Sequence, residues 1–257
     1  VVYELVEFTG ILEKQLSDSI KGISIYNWDE DFITRNLLSE LTGTLSTIEL
    51  KGKDYRSHVE WETYKLRGTY ETNFGDIALV VNIRFKDGTD LEGVAFLEAK
   101  RRDWRKTTFS AMNKKQLRRI LKNAPRAQYL LYDYEDITGF ADTSHFAEEM
   151  SKYTPFRNSS FTEKTSSLCV PLNVADATGF KDTLLYRHGT PLSLMFTKRY
   201  FQGLDLEFDS TAKSVATGFL NKFGLPKYVL KINISEHGAS VDNNQLQLNS
   251  LEYGKLE

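Results

Sequence analysis

A chain of 257 residues with 40% hydrophobic and 26% charged residues and a formal net charge of −2 carries enough apolar content for a substantial core, and too little charge imbalance for a disordered or uniformly basic protein. Its single cysteine, Cys169, excludes a disulfide framework or multi-cysteine zinc site and points to a reducing, cytoplasmic compartment. Asn82, Arg84 and Gly93 interrupt the longest apolar stretches, so none reaches the length of about eighteen residues that a membrane span requires.

The chain opens at Val1 with neither a signal peptide nor an initiator methionine, which reads as a processed or engineered start, and its closing Leu256-Glu257 reads as a vector remnant. Asn27-Trp-Asp-Glu30 has the form of a capping box, with Asn27 capping and Glu30 at the third position, and predicts a helix from Asn27 to Leu41. Trp28, Phe32, Ile33, Leu37, Leu38 and Leu41 give that helix its apolar stripe, and Gly43 ends it. A strand over His58 to Lys65 follows and leads through Gly68 and Glu71, a loop carboxylate, to Gly75-Asp76. Asp76 to Phe85 and Leu91 to Lys100 are apolar, β-rich runs on either side of Lys86-Asp-Gly-Thr-Asp90, the pattern of a hairpin centred near Asp87-Gly88. Ser110 to Asn123 predicts a second helix, with Met112, Leu117, Ile120 and Leu121 inward and Lys114, Lys115, Arg118, Arg119 and Lys122 outward, and Ala127 to Tyr134 a strand. Further on come a helix over Asp142 to Tyr153, strands over Leu168 to Val174 and Leu192 to Phe208, a helix over Ala212 to Phe223 closed by Gly224-Leu-Pro226, and a strand over Lys227 to Ile234. With no Pro/Gly/Ser-rich linker, the expectation is one domain over 1–235, its core at about 27–134 and an extension at about 140–235, followed by a polar tail over 236–257.

Folding the hairpin about Asp87-Gly88 sets Asp76 opposite Glu98, Ala99 or Lys100, since partner numbers should sum to about 174 to 176. The period of two along a strand puts Glu98 and Lys100 on one face. Two acids and a lysine brought together in this way can hold a divalent cation beside a phosphate and activate a water. A second acid-x-Lys triplet, Glu49-Leu-Lys51, serves as an internal control: Asp29 and Asp31 precede it in a helix-like stretch, with no strand-turn-strand to join them to Glu49. From Lys100 to Arg126 the chain holds eleven Lys or Arg against the single acid Asp103, a local charge of +10 that leaves −12 for the rest. Such a stripe beside the triad is the electrostatic footprint of a polyanionic partner, with Arg101, Arg102, Arg105, Lys106, Lys114, Lys115, Arg118 and Arg119 as its phosphate contacts. Trp104, in the middle of this segment, is expected to anchor the following helix to the core, with stacking on a base as the functional alternative. The four histidines show no metal-binding spacing, and no Walker A loop, dinucleotide fingerprint or Gly-x-Ser-x-Gly elbow occurs.

Gly75-Asp76 and Glu98-Ala-Lys100, in the order helix, strand, hairpin, helix, strand over roughly the first half of the chain, resemble the PD-(D/E)XK nuclease superfamily in its Gly-Asp variant. The resemblance implies an α/β fold with a restriction-endonuclease-like core, a central mixed β-sheet flanked by helices, here extended by C-terminal strands and a helix. It implies Mg²⁺- or Mn²⁺-dependent hydrolysis of DNA by an endonuclease of restriction or anti-phage defence type, RNA remaining open. Asp76, Glu98 and the Ala99 carbonyl would hold the metal, and Lys100 would orient or help deprotonate the attacking water. Glu30 matches an acid that related nucleases bring to the metal from their first helix, although the capping box accounts for it equally. Gln116 matches a glutamine of RecB-like members that touches the active site or the DNA; their tyrosine four residues later is here Ile120. The alternatives are a structure-specific nuclease such as a junction resolvase, and a non-catalytic nucleic-acid-binding scaffold of the same fold. A homodimer or a subunit of a larger complex is expected, because double-strand cleavage calls for two sites.

Overall fold

Gly88, at φ +87°, supplies the left-handed step that the loop 86–90 needs, and the Asp87 carboxylate accepts hydrogen bonds from the Thr89 amide (2.9 Å) and hydroxyl (2.6 Å). This turn joins β4 (Ile77–Arg84) to β5 (Asp90–Arg101) as an antiparallel pair whose partner numbers sum to 174, the low end of the expected range. The computed structural model describes residues 2–52, 56–68, 73–109, 112–141, 143–152, 163–221, 224–237 and 246–256. Among these residues the hairpin lies at the centre of a mixed, ten-stranded sheet flanked by helices.

Across the sheet the order is β1 (Val2–Glu4), β2 (Thr47–Lys51), β3 (Arg56–Leu66), β9 (Tyr228–Glu236), β4, β5, β6 (Gln128–Ile137), β7 (Thr165–Pro171) and β8 (Thr190–Pro191), with β10 (Tyr253–Lys255) added to β3. The late strand β9 runs parallel to β4 and antiparallel to β3, so it separates two strands that are neighbours in sequence. β5 and β6 are parallel.

Alternation along the strands divides the core into two layers. Ile77, Leu79, Val81 and Ile232 face α1 (Leu5–Lys21) and α2 (Glu30–Leu45), which bury Phe8, Leu12, Leu16, Ile20, Ile33, Leu37 and Leu41. Ala78, Val80 and Phe96 face α3 (Lys114–Asn123), α5 (Leu172–Thr178) and α7 (Ser210–Ala216), through Leu117, Ile120, Leu172, Ala175, Ala212 and Val215. α4 (Thr143–Lys152) lies beside α1 and sends Phe146 and Met150 into the second layer. Each large apolar side chain buried in this way contributes about 1.5–3 kcal/mol.

The structure departs from the sequence expectations in several places. Asp29, not Asn27, caps α2, accepting from the Asp31 (3.0 Å) and Phe32 (3.3 Å) amides, while Asn27 lies in a preceding 3₁₀ turn. The expected strand 192–208 is instead helical over 192–202: α6 (Leu192–Leu194), a π-turn over Met195–Arg199 and a 3₁₀ turn over Tyr200–Gln202. Its Leu192, Phe196 and Tyr200 are spaced by four and buried, and Ser193 and Thr197, also spaced by four, face α1. β7 stops at Pro171, where α5 begins, and α7 ends at Ala216. Within the expected polar tail, Tyr253 is buried and donates its hydroxyl to the Pro226 carbonyl (2.9 Å), which fixes β10 against β3. Glu71, Ser110, Asp142, Tyr153 and Phe223, at which expectations were placed, lie outside the described residues.

α1 was absent from the sequence expectations because its buried face is partly polar. Glu13 is 3% exposed and accepts from the hydroxyls of Ser17 (3.0 Å) and Ser193 (2.7 Å). Burial pushes its carboxyl up to about 7, against the pull of Ser193, Thr165 and Ser17. Because the folded pKa lies above the unfolded one, the proton stabilises the fold fully below about pH 4.5, and that contribution declines as pH rises toward 7. Replacing Glu13 with Gln should flatten this slope. Urea unfolding at pH 5 and pH 8 should show the variant gaining on the parent at the higher pH, by at most about 3 kcal/mol.

Candidate active site

Gly75 has φ +129°, and a Cβ at this position would stand 2.8 Å from the Leu97 carbonyl oxygen. Glycine thus lets the chain enter β4 pressed against β5. The next residue is held from both sides: the Asp76 carbonyl accepts from the Tyr228 amide of β9 (3.0 Å), and Asp76 Oδ2 accepts from the Ala99 amide of β5 (3.1 Å). Glu98 and Lys100 project from the same face of β5 and are 1% and 4% exposed. The Lys100 ammonium donates to Glu98 Oε1 (2.7 Å) and to the Ala99 carbonyl (2.7 Å), and lies 3.4 Å from Glu30 Oε1. Gln116 reaches down from α3 and donates to the same Glu98 Oε1 (2.7 Å). Asp76, Glu98, Ala99, Lys100, Gln116 and Glu30 therefore form one connected cluster. Moving the cap to Asp29 leaves the Glu30 side chain free of helix-capping duty and turned toward Lys100.

The electrostatics are those of a site short of positive charge. Burial raises the Glu98 carboxyl to about 8, with the Asp76 charge adding to the rise and Lys100 opposing it. Burial also raises Asp76, against Lys100 and the Ala99 amide, and lifts Glu30 to about 6. Burial alone would lower Lys100, but Glu98, Glu30 and Asp76 together hold it above its ordinary value, so it stays protonated at neutral pH. Glu98 Oε2 is buried and finds no donor among the described residues; with Glu98 protonated it can serve Asp76 instead. Three carboxyls thus stand around one ammonium, with one oxygen that finds no donor, and oxygen donors are the type that hard cations take. Among the described residues no group of three or more His, Cys, Asp or Glu side chains is arranged to hold a metal ion, which leaves Asp76 and Glu98 as the carboxyl pair to consider. A partial shell is what Mg²⁺ commonly takes from protein, the remainder being water and phosphate oxygens.

The basic segment divides. Arg105, Lys106, Lys114, Lys115, Arg118 and Arg119 are exposed, and Arg101 is half-buried. Arg102 is a correction: it is 7% exposed, donates to Asp133 (2.9 Å), pairs with Glu135 and lies 4.6 Å from the Tyr134 ring centre. Its charge is consumed inside the protein, where it ties β5 to β6. Trp104 is a second correction, since the residue is 42% exposed and does not belong to the buried core. The rival triplet does not form a site, because Glu49 pairs with Arg56 on the neighbouring strand.

Several supports of the cluster were not foreseen. Trp28 donates its indole N–H to the Arg102 carbonyl (2.9 Å) and meets Tyr134 edge-on, while Tyr186 donates to Asp133 on the far side of Arg102. Tyr228 holds Asp76 from 152 residues away, a distance at which spacing carries no signal. Compared with family models, curated proteins and solved structures, the chain matches none.

Replacing Gly75 with Ala should lower the unfolding free energy by about 1–3 kcal/mol, the cost of forcing an L-residue into this conformation. Gly43→Ala is the control: a Cβ there meets nothing within 4 Å, and on a helix the change should stabilise by up to about 1 kcal/mol. Chemical denaturation of the two variants reads the opposite signs.

Proposed function

We propose that the chain is a metal-dependent phosphodiesterase that hydrolyses nucleic acid, DNA foremost, on a restriction-endonuclease-like core of the PD-(D/E)XK kind. The observation that carries this reading is the convergence of Asp76, Glu98 and Lys100 at one end of the β4-β5 pair, with Gln116 and Glu30 arriving from opposite helical layers. The chain order α2, β3, β4, β5, α3, β6 supports it, with β9 then an insertion between β3 and β4. The exposed cations of α3, beside Gln116, supply a surface for the phosphate backbone. No helix among the described residues is long and apolar enough to cross a membrane.

On this reading Asp76, Glu98 and the Ala99 carbonyl would hold the cation. When bound, Mg²⁺ or Mn²⁺ supplies Lewis acidity at the phosphoryl group and a more acidic water. Gln116 fixes the rotamer of Glu98 by donating to Oε1, which would leave Oε2 available to a cation. Lys100, held protonated, acts as a donor that orients the attacking water or a phosphate oxygen, and Glu30 steadies its ammonium. Two copies of the chain would place one such site on each strand of a duplex.

Asp76→Asn and Lys100→Met should each lower Mg²⁺-dependent cleavage of plasmid DNA by roughly 10³-fold, about 4 kcal/mol of barrier, while Glu49→Gln in the rival triplet leaves it unchanged. Equal rates for the parent and the first two variants would remove the assignment.

One observation favours a second reading, a binding scaffold without turnover: Lys100 already satisfies both Glu98 Oε1 and the Ala99 carbonyl. Calorimetry separates the two. A nuclease site should bind Mn²⁺ at pH 7 and release close to one proton, because Glu98, raised to about 8, must ionise to become a ligand. The heat should therefore vary with the ionisation enthalpy of the buffer. A scaffold should show no Mn²⁺ heat, with salt-dependent DNA binding intact.

A further inference from the structure

Trp104 is the one tryptophan of the three that is open to solvent: it is 42% exposed, against 5% for Trp28 and 2% for Trp61. Its exposure does not arise from a slack loop. The strap 102–109 leaves the end of β5 and returns on itself, Arg102 bridging to Phe109, the Asp103 amide donating to the Thr108 carbonyl (3.0 Å) and the Lys106 amide to the Asp103 carbonyl (2.9 Å). Asp103 Oδ1 accepts from the Arg105 amide (3.0 Å), which sets the turn. The strap is fastened to the segment 181–183 by the Phe109 amide on the Lys181 carbonyl (2.9 Å) and the Thr183 amide on the Thr107 carbonyl (3.2 Å). The Tyr134 hydroxyl grips the Trp104 carbonyl itself (2.7 Å). The indole is thus presented, with its ordering cost already met by the fold.

Chemistry and position narrow what the indole meets. The Arg105 guanidinium sits 4.2 Å from the ring centre and covers part of it with positive charge. Trp104 follows Lys100 by four residues, at most roughly 13 Å of extended chain at about 3.3 Å per residue, which is a few nucleotides along a strand at about 3.4 Å each. The neighbouring turn 24–29 is stitched to the strap by the Trp28–Arg102 hydrogen bond (2.9 Å) and lifts a second aromatic, Tyr26, to 95% exposure. Stacking of a base on an aromatic ring is worth about 1–3 kcal/mol. Opening a paired, stacked base to reach the ring costs about a few kcal/mol and cancels that gain. A base that is already unpaired keeps it.

We infer that Trp104 stacks on an unpaired base beside the cleavage site, so that the preferred substrate is nucleic acid with a single-stranded segment next to the scissile bond. This rests on the nuclease reading of the Asp76-Glu98-Lys100 cluster. The test is intrinsic fluorescence of the full chain titrated in EDTA with short oligo-dT and with a blunt duplex. Oligo-dT should quench the exposed indole and bind more tightly than the duplex. Trp104→Ala should lose the quench and weaken oligo-dT binding by roughly 5- to 150-fold, with duplex binding changed less than twofold, and Trp104→Phe should restore most of the oligo-dT affinity. Unchanged oligo-dT affinity in Trp104→Ala, or binding by the parent without a fluorescence change, overturns the inference. Cleavage with Mn²⁺ separates the two layers: a parent that cuts while Trp104→Ala binds oligo-dT normally loses only the stacking role. A parent that is quenched by oligo-dT but cuts nothing keeps the stacking role and loses the nuclease reading.

Discussion

Burial of Glu98 and Lys100 at the end of β5 is the constraint to which the surrounding structure answers. Taking a charge such as the Lys100 ammonium out of water costs several kcal/mol, and burying the Glu98 carboxyl beside it is repaid only with good geometry and further hydrogen bonds. Each neighbour supplies part of that repayment. The 174 register brings Asp76 alongside, the Ala99 amide holds Asp76, Gln116 takes one Glu98 oxygen with Lys100, and Glu30 closes the far side of the ammonium. What is left over is a Glu98 oxygen without a donor among the described residues and carboxyls that burial raises to about 8 and about 6, the kind of perturbation that marks a candidate site.

The parts of this arrangement that were legible in the sequence are those set by short-range periodicity. Alternation and a two-sided turn fix a hairpin register, and the register delivers Asp76 to Glu98 and puts Lys100 on the same face. The cationic face of α3 was legible for the same reason, since Leu117 and Ile120 mark its buried side. The parts that were not legible depend on partners remote in the chain. Arg102 looks like its cationic neighbours until Asp133, Glu135 and Tyr186 are placed around it. The segment 192–202 carries short apolar runs that fit a strand as well as a helix, and its helical period emerges only where Ser193 meets Glu13 and Thr197 meets Thr9. α1 was obscured by the same pairing, because a face that buries Thr9, Glu13 and Ser17 does not read as apolar.

The aromatic residues near the site divide by whether they brace the fold or face outward. Trp28 and Tyr134 brace Arg102 and through it the β5-β6 junction, and both spend their polar atoms on backbone carbonyls. Trp104 and Tyr26 ride on the segments so braced and face outward. A rigid base beneath an exposed ring lowers the entropic cost of any contact that ring makes.

β9 gives the site a place in time as well as in space. Until Tyr228–Glu236 has been synthesised, β4 has a bare, apolar edge and Asp76 lacks the Tyr228 amide that holds its carbonyl. Pairings that span some 150 residues form late, since the loop must close before the contact rewards it. A growing chain thus carries its acids and its lysine well before it has made the strand that backs Asp76, and the cluster gains that support only once β9 has paired with β4.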